Sequence, residues 1–173
     1  MSGFKSTLAS GIMMGLCCAI TPAGAADIPI QNAGFELPSL GAGQFTNSDN
    51  LPGWTVTNGS WSTGVFNPIG WMATPGPWVG AQMGYSNGGI LQQVVGAIAQ
   101  EGNEFTLTYR IIHRYTPVGR VQLWAGTVLL GEVIETAANR PALNGFGLRT
   151  VRAVIPAGSA AIGQSVRIVI NSV

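Results

Sequence analysis

The residues here that could do chemistry are the carboxylates, a single histidine and the tryptophans, and their spacing limits what that chemistry is. His113 follows the alternating stretch "EFTLTYRII", and both cysteines, Cys17 and Cys18, lie within the first 26 residues. One histidine without a later cysteine cannot supply the three nitrogen or sulfur ligands of a zinc site. No nucleophile elbow presents a serine, so a Ser/His/Asp arrangement has no support. Glycoside hydrolysis needs two acids facing one substrate about 5 to 10 Å apart. Glu101 with Glu104, and Glu132 with Glu135, are each close along the chain. Both pairs read as solvated surface residues. "YSNGGI" reads as a turn that uses glycine's freedom at positive φ, since no helix follows to make a phosphate loop.

Aromatics carry more information. Trp54, Trp61, Trp71, Trp78 and Trp124 are many for a chain of 173 residues. Apolar sugar faces pack on such planes, while amides and arginines read hydroxyls. Trp54 alternates with Val56 and reads as core, and core packing also competes for Trp61. Trp71 and Trp78 fall in the Pro/Gly-rich segment "NPIGWMATPGPW", whereas Trp124 is out of phase with Val121 and Leu123 and points to an outer sheet face. Trp71, Trp78 and Tyr85 are therefore the candidates for a sugar-facing surface, with Gln82, Asn87 and Gln92 as polar partners.

These side chains must be positioned by strands, because period-two alternation recurs and Gly or Pro interrupts every few residues. In "EFTLTYRII", Phe105, Leu107, Tyr109 and Ile111 face one way and Thr106, Thr108 and Arg110 the other. "RVQLWAGTVLLGEVIE" reads as a hairpin turning at Gly126, while "LRTVRAVIP" and "SVRIVINSV" read as strands with one wet face. Shorter candidates are "IPIQ", "GWTVT", "SWSTGVF", "VGAQMGY" and "GGILQQVV". About eight to ten strands suit an all-β, two-sheet antiparallel β-sandwich of jelly-roll type.

Residues 1–26 read as a secretory signal-peptide helix: Lys5, the apolar run "GIMMGLCCAI", Pro22, then Ala23, Gly24 and Ala25 before the cleavage expected after Ala25 or Ala26. Neither cysteine has the flanking residues of a lipoprotein anchor, so a mature chain 27–173 is expected without thiols or a membrane anchor, secreted or at the cell surface. One domain is long enough to bury a core. Lys5 is the only lysine, and every arginine lies at position 110 or later, after Asp27, Glu36, Asp49, Glu101 and Glu104. Arg110, Arg152 and Arg167 occupy alternating strand positions and read as a solvated outer face. Without a basic cluster, nucleic acid is excluded as a partner.

"NAGFELP", "PGWTV", "GSWSTGVFNP", "GAQMGYSNGGILQQVV", "FTLTYRI", "VQLWAGTVLLGE" and "GQSVRIVINSV", in that order, resemble the galactose-binding-like jelly rolls of exported bacterial proteins. Those include PEP-CTERM-associated proteins and carbohydrate-binding modules. The resemblance implies a structural calcium near the meeting of the first and last strands, with Glu36 as side-chain ligand and Asn171 where the family usually carries Asp. No sorting tail is expected. The function expected is a non-enzymatic module that binds glycan or exopolysaccharide; the alternative is a surface or matrix protein mediating protein contacts. Oligomeric state is left open.

Overall fold

The computed structural model describes residues 16–21, 26–47, 50–57, 63–70, 80–113 and 119–172. Among these residues thirteen strands form: β1 (Leu16–Thr21), β2 (Ala26–Ile28), β3 (Phe45–Asn47), β4 (Asn50–Leu51), β5 (Trp54–Thr57), β6 (Thr63–Phe66), β7 (Met83–Ser86), β8 (Ile90–Ile98), β9 (Glu104–Ile112), β10 (Gly119–Ala125), β11 (Val128–Ile134), β12 (Phe146–Val154) and β13 (Ser165–Ser172). They make a four-stranded sheet (β12-β9-β1-β2), a six-stranded sheet (β11-β10-β13-β8-β5-β4) and a three-stranded sheet (β3-β6-β7), all antiparallel.

All-β architecture follows from the alternation, but the two-sheet jelly roll with a signal-peptide helix does not. A third sheet is present, and no helix occurs among the described residues. Residues expected in a helical leader instead form β1, whose backbone lies between β9 and β2, with Leu16 opposite Tyr109 and Cys18 opposite Ile28. An apolar, β-branched-poor run is compatible with either state; strand edges on both sides give its backbone groups partners that an isolated helix would not need.

One core joins the larger sheets. Phe105, Leu107, Tyr109 and Val151 from the four-stranded sheet meet Leu91, Val95, Val121, Leu123, Ile168 and Ile170 from the six-stranded sheet. Period two sends these side chains inward and their neighbours outward. Trp54 belongs to this core: 5% exposed, it stacks on Phe35 with ring centroids 5.0 Å apart and donates from Nε1 to the Asn32 carbonyl. Gly84 is required beside it, because a Cβ there would stand 2.8 Å from the Phe35 ring. A smaller cluster of Phe66, Met83 and Ile112 ties the three-stranded sheet to the end of β9.

Candidate active site

Turned away from the core, the six-stranded sheet carries a ladder of polar residues interspersed with apolar ones. Register places Arg120 opposite both Ile134 and Asn171, and Asn171 opposite Ile90; the next row is Glu132, Gln122, Val169, Gln92 and Thr55. Trp124 stands opposite Arg167 one row further, beyond a bulge at Leu123/Trp124. The Trp124 Nε1–H donates to Gln122 Oε1 at 3.2 Å, and Gln122 Nε2 donates to Glu132 Oε2 at 2.9 Å. Arg120 Nε lies 3.7 Å from the same Glu132 oxygen, close enough for attraction but too far for a hydrogen bond.

Two features set this face apart from a solvated sheet surface. Gln122 and Val169 are each only 7% exposed although neither points into the core. Arg120 Nε, Arg167 Nε and Asn171 Oδ1 are buried atoms without hydrogen-bond partners among the described residues. Buried polar groups are normally paired, so three orphans on one face mark a place built to receive other atoms. Donors from Arg120 and Arg167, an acceptor on Asn171, a carboxylate on Glu132 and a Trp124 ring can together grip a planar molecule with hydrogen-bonding groups.

Arg149 forms a separate cluster between the sheets. It clasps Glu135 through Nε to Oε1 at 2.6 Å and Nη2 to Oε2 at 3.0 Å, and also donates to the Asn139 and Leu148 carbonyls. Glu135 is 4% exposed, so the expectation of a solvated Glu132/Glu135 pair fails for it. Tyr109 lies near both charges. Burial pushes its phenol well above the usual range, the Glu135 charge adds to the rise, and Arg149 opposes it. His113 shares Nδ1 with the Pro141 carbonyl at 3.0 Å, which requires Nδ1 to carry the proton. These bonds fasten the loop after β11 to the end of β9.

The residues predicted for binding are dispersed. Trp71 and Trp78 lie outside the described residues. Gln82 is 1% exposed, with Nε2 donating to the Phe35 and Pro38 carbonyls, each at 2.8 Å, and Oε1 accepting from Leu40 N–H; its amide organises the 35–40 loop. Tyr85 is half-buried, its phenol raised by burial, and its hydroxyl bonds the Thr46 carbonyl and Asn47 Oδ1. Asn87 is exposed in the β7–β8 turn. Gln92 does belong to the ladder, where Oε1 accepts from Arg167 Nη1 at 3.4 Å. Glu36 Oε1 accepts from Ala81 and Gln82 N–H at 2.9 and 3.0 Å, whereas Asn171 belongs to the ladder. Sequence reasoning missed Arg120, Gln122, Glu132 and Arg167; the outward phase of Trp124, shared with Arg120 and Gln122, was the available signal.

Comparison with known proteins places the chain in a family. Residues 26–173 match the family described as HpiC1-like, HpiC1 cyclase. The chain belongs to the HpiC1-like cyclase family. Among solved structures it is similar to a Stig cyclase, Fisc, from Fischerella sp. TAU in complex with (3Z)-3-(1-methyl-2-pyrrolidinylidene)-3H-indole, at 24% identity and TM-score 0.69, over 84% of this chain and 88% of that one. It is similar to an apo cyclase from Fischerella sp. at 22% identity and TM-score 0.71, over 91% and 88% of the two chains. A third, a Fischerella sp. TAU cyclase in complex with 4-(1H-indol-3-yl)butan-2-one, gives 24% and 0.67 over 84% and 87%. At these identities the structures show the fold. No curated protein matches.

Membership of the HpiC1-like cyclases corrects the earlier expectations together. The galactose-binding, PEP-CTERM-associated resemblance was carried by short strand-and-turn motifs that many all-β chains share, and the family match over residues 26–173 replaces it. A cyclase family also overturns both the non-enzymatic carbohydrate-binding module and the structural matrix protein. Glycan and exopolysaccharide give way as partners too, since the similar structures hold indole-derived molecules. Tryptophan faces suit any flat apolar ring, which is why aromatic content alone pointed to sugar.

Proposed function

We propose that this HpiC1-like cyclase closes a ring within an indole-type small molecule held on the outer face of the six-stranded sheet. The facing pair Arg120 and Asn171 carries the reading, a buried donor and a buried acceptor whose partners a substrate would supply. Leaving such atoms unbonded costs about 1–3 kcal/mol each, so a ligand that bonds both is favoured. An indole N–H donates to Asn171 Oδ1, and Arg120 Nε–H donates to an acceptor elsewhere on the substrate. Ile90, Val169 and Trp124 provide apolar surface beside them.

Cyclisation is an isomerisation and needs no oxidant. An electron pair of the indole ring forms the new carbon–carbon bond, a proton is added to the electrophilic arm, and a ring proton leaves to restore aromaticity. Glu132, the one carboxylate on this face among the described residues, takes the departing proton, held by Gln122 and Arg120. Fixing both ends of one flexible molecule supplies part of the acceleration through orientation. Isothermal titration with 4-(1H-indol-3-yl)butan-2-one tests the site: binding by the wild type that weakens in Asn171→Ala supports it, and equal affinity in both counts against it.

A structural calcium is carried forward as a proposal with no catalytic step. Glu36 gives Oε1 to two backbone N–H groups, which leaves Oε2 for a cation, whereas Asn171, the other ligand expected, lies on the ladder and gives its Oδ1 to the substrate in this reading. No group of three His, Cys, Asp or Glu occurs among the described residues, so carbonyl oxygens would complete any such site. Export is likewise proposed, supported by a family match that starts at residue 26, where the leader is expected to end; cleavage there would remove β1 from between β9 and β2. Intact mass of the exported protein, showing loss of residues 1–25 or 1–26, tests it; a full-length exported chain contradicts it.

A further inference from the structure

We propose that Arg167 is a second substrate anchor on this face, and that the preferred substrate carries a carboxylate on the arm attached to its indole ring. The inference rests on the reading of the face as the cyclase site and names the substrate class more narrowly.

Arg167 is charged, half-buried and poorly paired. Its Nε is buried without a partner among the described residues. Its two hydrogen bonds, Nη1 to Gln92 Oε1 and Nη2 to the Gly126 carbonyl, are both 3.4 Å long. Charge-assisted bonds are ordinarily about 2.7–2.9 Å, so neither partner satisfies the guanidinium. The described ion pairs are Arg120–Glu132 and Arg149–Glu135, and neither involves Arg167. Arg149 shows what a satisfied guanidinium looks like in this protein, with a bidentate carboxylate and two carbonyls around it.

The Arg167 guanidinium is nonetheless held in place. It sits 5.8 Å from the Trp124 ring centroid, and that ring is fixed by its bond to Gln122. A planar cation held over an aromatic ring, its terminal nitrogens engaged only by two long bonds, is preorganised for a planar bidentate acceptor, and a carboxylate has that shape. Arg167 precedes Asn171 by four residues on the same face of β13, so the two anchors are about 13 Å apart between Cα atoms, a span shortened by the reach of the arginine. One molecule can give its ring N–H to Asn171 and its anionic end to Arg167.

The test compares 4-(1H-indol-3-yl)butan-2-one with indole-3-propionate, which replaces the ketone methyl by a carboxylate oxygen, using isothermal titration on the whole protein. The wild type should bind indole-3-propionate about tenfold more tightly, and 1 M salt should erode that preference. Arg167→Met should bring the two affinities to within about threefold of each other, and Arg167→Lys should keep part of the preference. Equal wild-type affinities, a preference that survives in Arg167→Met, or one lost in Arg120→Met instead would overturn the proposal. Failure of the wild type to bind either molecule would overturn the cyclase site as well, which separates the two failures.

Discussion

Arg120 and Asn171 stand directly opposite each other on β10 and β13, and the Nε–H of one and the Oδ1 of the other are both buried with no hydrogen-bond partner among the described residues. A donor and an acceptor so placed would bond each other if their directions allowed. They diverge because Arg120 leans toward Glu132 on β11, away from β13. An indole N–H should therefore matter to Asn171. Replacing 4-(1H-indol-3-yl)butan-2-one by its N-methyl analogue should weaken wild-type binding about tenfold and change Asn171→Ala little, as read by titration.

The Arg149–Glu135 pair should be a stability determinant. Breaking a buried pair leaves an uncompensated charge, so Arg149→Met should destabilise the protein by about 3–5 kcal/mol in urea unfolding. Arg149→Met with Glu135→Leu should recover much of that loss, because no charge is left behind. A single-variant loss under about 1 kcal/mol would show the pair to be solvated.

Tyr109 predicts a stability limit at high pH. Its phenol is raised in the folded state, so between the unfolded value of about 10 and the folded value the unfolded chain has lost a proton that the native chain keeps. Stability is then fully present below about pH 10 and falls as pH rises above it. Tyr109→Phe should flatten the alkaline limb of a Tm-against-pH curve; an unchanged limb would exclude Tyr109 as its source.

Gly80 should not accept a side chain. It has φ of 97°, and a Cβ there would fall 2.1 Å from Glu36 Oε1, the oxygen that accepts from Ala81 and Gln82 N–H. Gly80→Ala should lower stability by about 1–3 kcal/mol, and Glu36→Gln by about 1 kcal/mol. Calcium added to chelator-stripped wild type should raise Tm, since a metal bound only by the folded state stabilises it by mass action. No rise would remove the metal proposal.

Strands were more legible in the sequence than the site. "EFTLTYRII" coincides with β9, Glu104–Ile112, and the Gly126 turn joins β10 to β11 as the alternation implies. β1 was hidden because its apolar run also fits a secretory leader, and backbone pairing with a strand on each side is a tertiary fact that periodicity does not carry. The ladder was hidden for a related reason. Glu132, Gln122, Arg167 and Gln92 become neighbours only through the strand order β11-β10-β13-β8. Alternation put Arg167 on the outer face correctly, but nothing local says that its Nε is buried there or that Glu135, three residues after Glu132, turns inward to Arg149.

Ring closure at this ladder is the central claim, and turnover tests it most directly. Indoles bearing an alkene, imine or carbonyl arm, with and without a carboxylate, are incubated with the protein and followed by liquid chromatography with mass spectrometry and NMR. The account predicts a product of unchanged mass containing one more ring, formed with kcat lowered about 10²–10⁴-fold in Glu132→Gln while ligand binding persists. A ring-closed product formed equally fast by wild type and Glu132→Gln would contradict it, as would binding of these indoles without conversion of any.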